Sequence, residues 1–462
     1  MNSAYARAPL ITAVPVSGAA LRTLAATQAA RYPVFFDSAA QGPLARFSVL
    51  AGQPSAALFR DADGRLHAEG LDLVAGGFLD NLEHWFRAEA MPSGARKPLP
   101  FLGGWFVYLG YEVAAEIEPR LRLPVAAGPY SAFALRVENL LVHELASDKV
   151  YAVSQLADTQ AHAGLIADLA QAARHPSSMA GDPPPLTSLE EEPAELFLAR
   201  VRAAQEHIAA GDIYQANLSR RWRLELRDMG NAAQVYSALR RANPAPFAAS
   251  VQVPGMTLFS SSPERLLAIT GRDISTRPIA GTRARHGSVE QDRRDTAELV
   301  AHPKERAEHI MLIDLERNDL GRVCEAGSVT VDEYMVTESY AHVHHIVSNV
   351  RGRLRADRSP VDALRALFPG GTITGCPKVR CMQIIAELEG EGRGAYTGSL
   401  GWLGTDGDAD FNILIRTLTM RGTTIELRAG AGIVADSIPE RELEETRAKA
   451  RGMLRAFEAP HV

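Results

Sequence analysis

Between Ala173 and Glu192 the sequence reads ARHPSSMAGDPPPLTSLEEE, and this stretch limits the architecture more than any other. Pro183, Pro184 and Pro185 each remove a backbone donor and lock φ, so neither a helix nor a central strand runs through them. The serines and the closing acidic run favour water, which predicts a linker or exposed loop over 176–192. It divides an amino-terminal region, 1–175, from a larger carboxy-terminal region, 193–458.

Both regions carry strand signals. Ala56-Ala57-Leu58-Phe59 and Phe133-Ala134-Leu135-Arg136-Val137 are apolar bursts between turn residues. The glycine-punctuated, aromatic run Phe101 to Tyr111 predicts a strand or turn that another backbone approaches closely. After the break, Pro193-Ala194-Glu195 opens a helix with Leu196, Val201, Ala204 and Ile208 as its apolar face, ending before Gly211. Asp212 to Trp222 reads as a loop entering a strand. Strands and helices then alternate without a fixed repeat, so the expected class is α+β, with layered sheets between helices.

Composition excludes several functions. With 46% hydrophobic and 23% charged residues the chain has the make-up of a globular protein. A net charge of -6, and no basic run beyond Arg220-Arg221 and Arg240-Arg241, argues against a nucleic-acid partner. No run of about 18 uncharged apolar residues exists to cross a membrane, and Pro9 and Pro15 interrupt the only candidate for an export signal. Cys324, Cys376 and Cys381 are too irregularly spaced for a disulfide framework or a zinc site. They read as reduced thiols of a cytoplasmic protein, with Cys376 and Cys381 in packing roles.

Chemistry-bearing residues fall into a few groups. A helix from Lys304 through Leu315 puts Glu305 and Glu308 on one face, and a second places Glu442, Glu445 and Lys449 together. Two such helices can share one hard divalent cation, for which Mg²⁺ suits an all-oxygen donor set. The alternative is two solvated faces with Glu445 and Lys449 as a surface pair. In Tyr340 to Ser348 a strand would put His342 and His344 on one face and His345 on the other. His345 suits proton transfer, since free imidazole titrates near working pH; a zinc site lacks a neighbouring cysteine.

Phe368 to Lys378 and Ala429 to Gly432 are glycine-rich turns whose exposed N–H groups favour an anion. The first leads into a helix from Lys378 to Leu388, whose amino terminus adds to that preference. Neither matches a phosphate-loop or dinucleotide pattern, which points to a carboxylate on a small substrate, against the alternative of simple tight turns. Finally, Arg277-Pro278-Ile279-Ala280-Gly281-Thr282 is a strand-to-loop passage in which Pro278 and Gly281 shape the backbone that presents Thr282.

In order, RPIAGT, KERAEH, HHIVS, GGTITGCPK, GAYTGSLGW, FNILIRT and AGAGIVADSIPERELEET resemble the catalytic region of the chorismate-binding family, across residues 190 to 457. That family includes the first components of anthranilate synthase and aminodeoxychorismate synthase, with isochorismate and salicylate synthases. Phe35 to Ala39 and Gly103 to Tyr111 are similar to its amination members. The resemblance implies large antiparallel sheets packed face to face, helices outside, and two interleaved sequence halves. It implies Glu308 and Glu445 as Mg²⁺ ligands, with Glu305 and Glu442 holding the ion's waters, and the ion gripping the ring carboxylate of chorismate. Tyr396 and Arg416, helped by Gly430, Gly432 and Lys449, would take the enolpyruvyl carboxylate. Glu264, Thr282 and His345 would surround the ring hydroxyl, with His345 assisting its departure, while Thr372 and Gly375 complete the cradle.

Ala280 stands where isochorismate, salicylate and typical aminodeoxychorismate synthases carry a lysine, so the resemblance points to ammonia, with no lysine adduct, as the nucleophile. No glycine-flanked cysteine elbow is present, which implies a separate glutamine amidotransferase subunit as its source. The short amino-terminal region, FNILIRTL, and Asp37-Ser38 in place of the Glu-Ser of a tryptophan-feedback site favour 4-amino-4-deoxychorismate, for 4-aminobenzoate and folate synthesis, as product. Anthranilate with pyruvate, toward tryptophan, is the alternative, because anthranilate synthases usually carry this alanine. Isochorismate or salicylate formation and a non-catalytic regulatory role rank behind both.

Overall fold

Two antiparallel sheets take up the strand-forming runs on both sides of the proline break. The computed structural model describes residues 8–458 apart from 41, 43, 92–96, 176–180, 231, 286–287 and 340–342. One sheet has 12 strands and the other 11, and every pairing among the described residues is antiparallel.

Neither sheet belongs to one half of the sequence. In the first, Val34–Asp37 pairs with Phe247–Val253, with Asp37 opposite Ala248. In the second, Gly104–Leu109 pairs with Ser399–Gly404. The glycine at the start of that strand meets the sequence expectation of close approach. Gly104 has φ +148, and a side chain there would begin 2.1 Å from the Leu403 carbonyl oxygen.

The layers follow from where apolar side chains sit. Between the sheets, Val34, Phe106, Phe133, Leu258 and Leu400 form one cluster with residues from both. Helices Ala19–Thr27, Thr159–Arg174, Ala232–Ala242 and Pro439–Leu454 cover the outer face of the first sheet, closing a core around Leu24, Leu169, Leu239 and Met453. Helices Phe78–Glu89, Pro303–Gly321 and Pro360–Leu367 cover the second, over Trp105, Leu267 and Phe411. Each fully buried Phe or Leu contributes about 1.5–3 kcal/mol, which is why layers on both faces are needed to hold sheets this large. The α+β class and its stacked antiparallel sheets stand as expected.

Two local expectations change. Within the expected loop 176–192, Leu186–Glu191 is a strand paired with Gln215–Leu226 at the edge of the first sheet. Its side chains are mostly exposed, so backbone pairing alone holds it and its sequence stays polar. In helix Ala194–Ala209 the buried face is Phe197, Val201 and Ala204, while Leu196 is 50% exposed. Val201 and Ala204 thus lie on the face as expected, with Ile208 partly buried, and only its first member differs, Phe197 in place of Leu196. Among the described residues no helix is long and apolar enough to cross a membrane. The three cysteines are free, with Cys324 and Cys381 buried.

Candidate active site

The segment Arg277 to Thr282 runs between a neighbouring strand of the second sheet and the helix that carries Glu305. Arg277 is anchored by Glu333 at 2.5 Å and Glu338 at 2.6 Å, and the Pro278 carbonyl accepts from Ser348 N at 3.3 Å. Strand Ile279–Ala284 then pairs with Val343–Arg353, but the register shifts between Ala280, opposite Ile346, and Thr282, opposite His345. Gly281 absorbs that bulge at φ +63. A side chain there would begin 2.8 Å from Glu305 Oε2, so the bulge seats the acidic helix Pro303–Gly321 against this wall. Ala280 is buried; the side chain of Thr282 lies outside the described residues, as does His342.

His345 is 7% exposed. Burial pushes its imidazole down to about 4, the Arg416 guanidinium adds to the effect, and a hydrogen bond with the Gly281 backbone opposes it. The ring is therefore neutral at working pH, which removes the reason for which the sequence favoured it as the titrating group. Its neighbour His344 turns the other way, to Ser339 Oγ at 2.7 Å. On this wall the group pushed toward neutrality is Glu264. It is 5% exposed, and burial pushes its carboxyl up to about 7 against the Thr372 hydrogen bond, Lys449 and the Ile279 amide. Thr372 Oγ1 donates to Glu264 Oε1 at 2.7 Å. A buried, protonated acid can deliver a proton to a poor leaving group.

Cationic and phenolic groups gather next to this acid. Lys449 Nζ donates to the Gly430 carbonyl at 2.8 Å and pairs with Glu445 at 2.7 Å. Tyr396 is buried, with its hydroxyl 2.4 Å from where a side chain at Gly430 would begin, so glycine is required there. Arg416, held at φ +53, lies within the electrostatic reach of Tyr396 and Glu445. Burial holds its guanidinium below the usual arginine range, with Tyr396 and then Glu445 opposing. Such a charge calls for an anion.

The four helix carboxylates are distributed around the cleft. Glu308 approaches Gly432, with Oε1 4.0 Å from its would-be side chain, while Glu305 faces Gly281. On helix Pro439–Leu454, Glu445 is half exposed at its Lys449 pair and Glu442 is partly buried. Among the described residues no three His, Cys, Asp or Glu side chains converge closely enough to hold a metal ion. The donor chemistry of Glu308 and Glu445, with substrate oxygens and water, still fits Mg²⁺, which commonly uses one or two carboxylates.

Two expected cradle features serve the scaffold. Gly375 at φ +140 pairs with Ala216 and sits 2.1 Å, at its would-be side chain, from the Gln215 carbonyl. Helix Lys378–Glu389 begins with a lysine that donates to Asp319, so the protein itself supplies an anion there. Conversely, the sequence reading passed over Gln215, Glu316 and the pair Glu389–Arg393. Gln215 is 4% exposed with Oε1 lacking a hydrogen bond, and its Nε2 lies 2.7 Å from the would-be side chain of Gly432. Arg393 stacks over Tyr111 and Tyr396 at 4.9 and 5.5 Å, while Glu389 accepts from its Nε at 2.9 Å and Nη2 at 2.6 Å. A polar residue that only tertiary packing buries leaves no signal in hydrophobic spacing, which is why none of these stood out.

A cavity of about 1140 Å³ opens elsewhere, beside Phe36, Asp37, Arg265 and Asp410. Asp37 is already engaged there, by Tyr236 at 3.1 Å and Arg240 at 2.5 Å.

The family model for chorismate binding enzymes matches residues 33–455. The chain belongs to the chorismate-binding family. It is 40% identical over 419 residues to an anthranilate synthase component I-like protein of Synechocystis, covering 90% of this chain and 83% of that one. It is 37% identical over 449 residues to aminodeoxychorismate synthase component 1 of Bacillus subtilis, covering 93% of each. Among solved structures, anthranilate synthase component I from Streptococcus pneumoniae superposes with a TM-score of 0.79 at 32% identity, covering 89% of this chain and 93% of that one. Membership makes chorismate the substrate of this chorismate-binding enzyme, and the cleft between strand Ile279–Ala284 and the two acidic helices its candidate active site.

Proposed function

We propose that this chorismate-binding enzyme aminates its substrate with ammonia to give 4-amino-4-deoxychorismate. Ala280 carries the choice of ammonia as nucleophile, which both amination products share. It is 5% exposed on the wall between Glu264 and His345, opposite Ile346, so no amine projects from that position and the nucleophile enters with the reactants. Ammonia comes from a glutaminase subunit, a division of labour suggested by the component names of both relatives. The match to the aminodeoxychorismate synthase of B. subtilis over 93% of both chains supports the product. Anthranilate with pyruvate is the second reading, favoured by the 40% identity to the Synechocystis protein and by the S. pneumoniae structure.

In this reading Glu308 and Glu445 hold Mg²⁺, with Glu305 and Glu442 on its waters. When bound, the ion supplies positive charge against the ring carboxylate. Arg416, Tyr396, Lys449 and the backbone at Gly430 and Gly432 take the enolpyruvyl carboxylate, and Thr282 flanks the ring. Glu264, positioned by Thr372, protonates the departing hydroxyl. The neutral His345 orients that hydroxyl through a ring nitrogen. Purified protein given chorismate, Mg²⁺ and ammonium should form 4-amino-4-deoxychorismate, identified by mass and chromatography; direct release of anthranilate and pyruvate overturns the assignment. Glu308→Gln should lower Mg²⁺-supported turnover by more than about 100-fold, since several kcal/mol of charge stabilisation is lost. Turnover with an unchanged Mg²⁺ requirement would remove Glu308 from the metal site.

A further inference from the structure

Behind the cleft, three ionisable side chains lie largely out of water without a part in holding substrate. Glu316 and Asp319 are 3% and 6% exposed and one turn apart on helix Pro303–Gly321. Lys378 reaches Asp319 from the start of its own helix and also donates to the Leu367 carbonyl at 3.4 Å. With Lys378 drawn to Asp319, Glu316 is left with the hydroxyl of Thr276 as partner. Its Oε1 lies 3.3 Å from where a side chain at Gly371 would begin. The next residue, Thr372, donates to Glu264. Through the adjacent residues Gly371 and Thr372 the segment thus links Glu316 to Glu264, with Asp319 and Lys378 following and the exposed Arg322, whose charge acts on Asp319, at the end.

Burying one more carboxyl beside an acid is costly unless it can hold a proton. Burial and Asp319 raise Glu316 to about 7, Lys378 and Thr276 oppose them, and Glu264 adds to the rise. Glu316 and Glu264 therefore change protonation in the same pH range, the condition for passing a proton between them at little free-energy difference.

We propose that Glu316, backed by Asp319 and Lys378, is the proton-exchange route that restores Glu264 from the side of the protein away from the substrate. The inference rests on Glu264 being the acid of the proposed reaction. In one turnover the ammonia lone pair forms the C–N bond, and the ring C–O bond breaks with its electron pair on oxygen. The hydroxyl takes the Glu264 proton and leaves as water. The new ammonium releases one proton, and Glu264 must regain one, so the cycle balances without another reactant. Substrate covers the front of Glu264 during this exchange, whereas Glu316 lies on the Gly371–Thr372 side.

Glu316→Gln in the full-length enzyme, assayed with chorismate, Mg²⁺ and ammonium, should lower kcat by about 10-fold, less than the ~10²-fold of losing the acid itself. KM for chorismate should stay within about twofold. Added imidazole or formate should raise the variant's kcat in a saturable manner and leave the wild type unchanged. Wild-type kcat in Glu316→Gln, or a lowered kcat that neither buffer raises, overturns the route. Should Glu316→Gln fail to fold by circular dichroism, Asp319→Asn is read by the same buffer response. Glu264→Gln separates the two ideas: if it keeps wild-type kcat the acid assignment fails, whereas an inactive Glu264→Gln beside a wild-type Glu316→Gln sinks the route alone.

Discussion

Glu264→Gln should lower kcat for chorismate amination by about 10²–10⁴-fold and leave KM within a few-fold, because it removes a proton donor needed in the transition state and little ground-state binding. The residue is held by a Thr372 hydrogen bond of 2.7 Å, and amide nitrogen in place of one oxygen preserves its shape. An acid near 7 must be protonated to act, so wild-type kcat should fall as pH rises through about 7, and that limb should vanish in the variant. Stability gives a second readout with a definite sign. The folded carboxyl sits above its ordinary value of 4.5, so the native state binds this proton more tightly than the unfolded chain does. Its contribution is favourable at low pH and is lost as pH climbs from 4.5 to about 7. At roughly 1.4 kcal/mol per pKa unit the loss is on the order of 3 kcal/mol. The unfolding free energy of Glu264→Gln relative to wild type should therefore increase between pH 5 and 8. A flat difference across that range would mean the carboxyl is not desolvated.

Arg393→Met should cost about 3–5 kcal/mol of stability, because it strands one member of a buried ion pair. The side chains of Arg393 and Glu389 are each 1% exposed. Arg428 at 3.6 Å and the Ser219 amide at 2.8 Å remain to Glu389 but do not replace two direct guanidinium bonds. Burial raises the Glu389 carboxyl, but Arg393 and Arg428 outweigh it and leave the group below the usual range. The pair's contribution is therefore present above the unfolded value and lost in acid as pH falls through the depressed one. The same substitution removes the cation stacked on Tyr396, so KM for chorismate should rise in whatever folded protein remains. Urea unfolding measures the first effect and steady-state kinetics the second. Adding Glu389→Gln to Arg393→Met should recover much of the lost stability, since no lone charge is then buried. A loss below about 1 kcal/mol for the single variant would place the pair among surface-like ion pairs.

Much of the fold was legible because sheets and helices leave periodic apolar marks. Phe101 to Tyr111 announced a closely approached strand, and the helix after Pro193 was found with Val201 and Ala204 on its buried face and Phe197 in place of Leu196 at its start. The edge strand Leu186–Glu191 escaped notice, since a polar strand held by backbone pairing looks like a linker. At the site, Glu264, Ala280, His345, Tyr396, Arg416 and Lys449 could be named from motif order. Their protonation could not. Glu264 and His345 exchange their expected parts only after burial pushes one up to about 7 and the other down to about 4.

The amino-acid sequence by itself determined which residues are available: a motif order that belongs to the chorismate-binding enzymes, carboxylates paired on two helices, and an alanine in place of an amine at position 280. Those are properties of residue type and spacing. Which carboxyl holds a proton, which lysine faces Glu445 and which faces Asp319, and which glycine serves the cleft and which a strand pairing were decided by the tertiary structure. Desolvation and neighbouring charge depend on every element packed around a group, and the two sheets draw those elements from both ends of the chain.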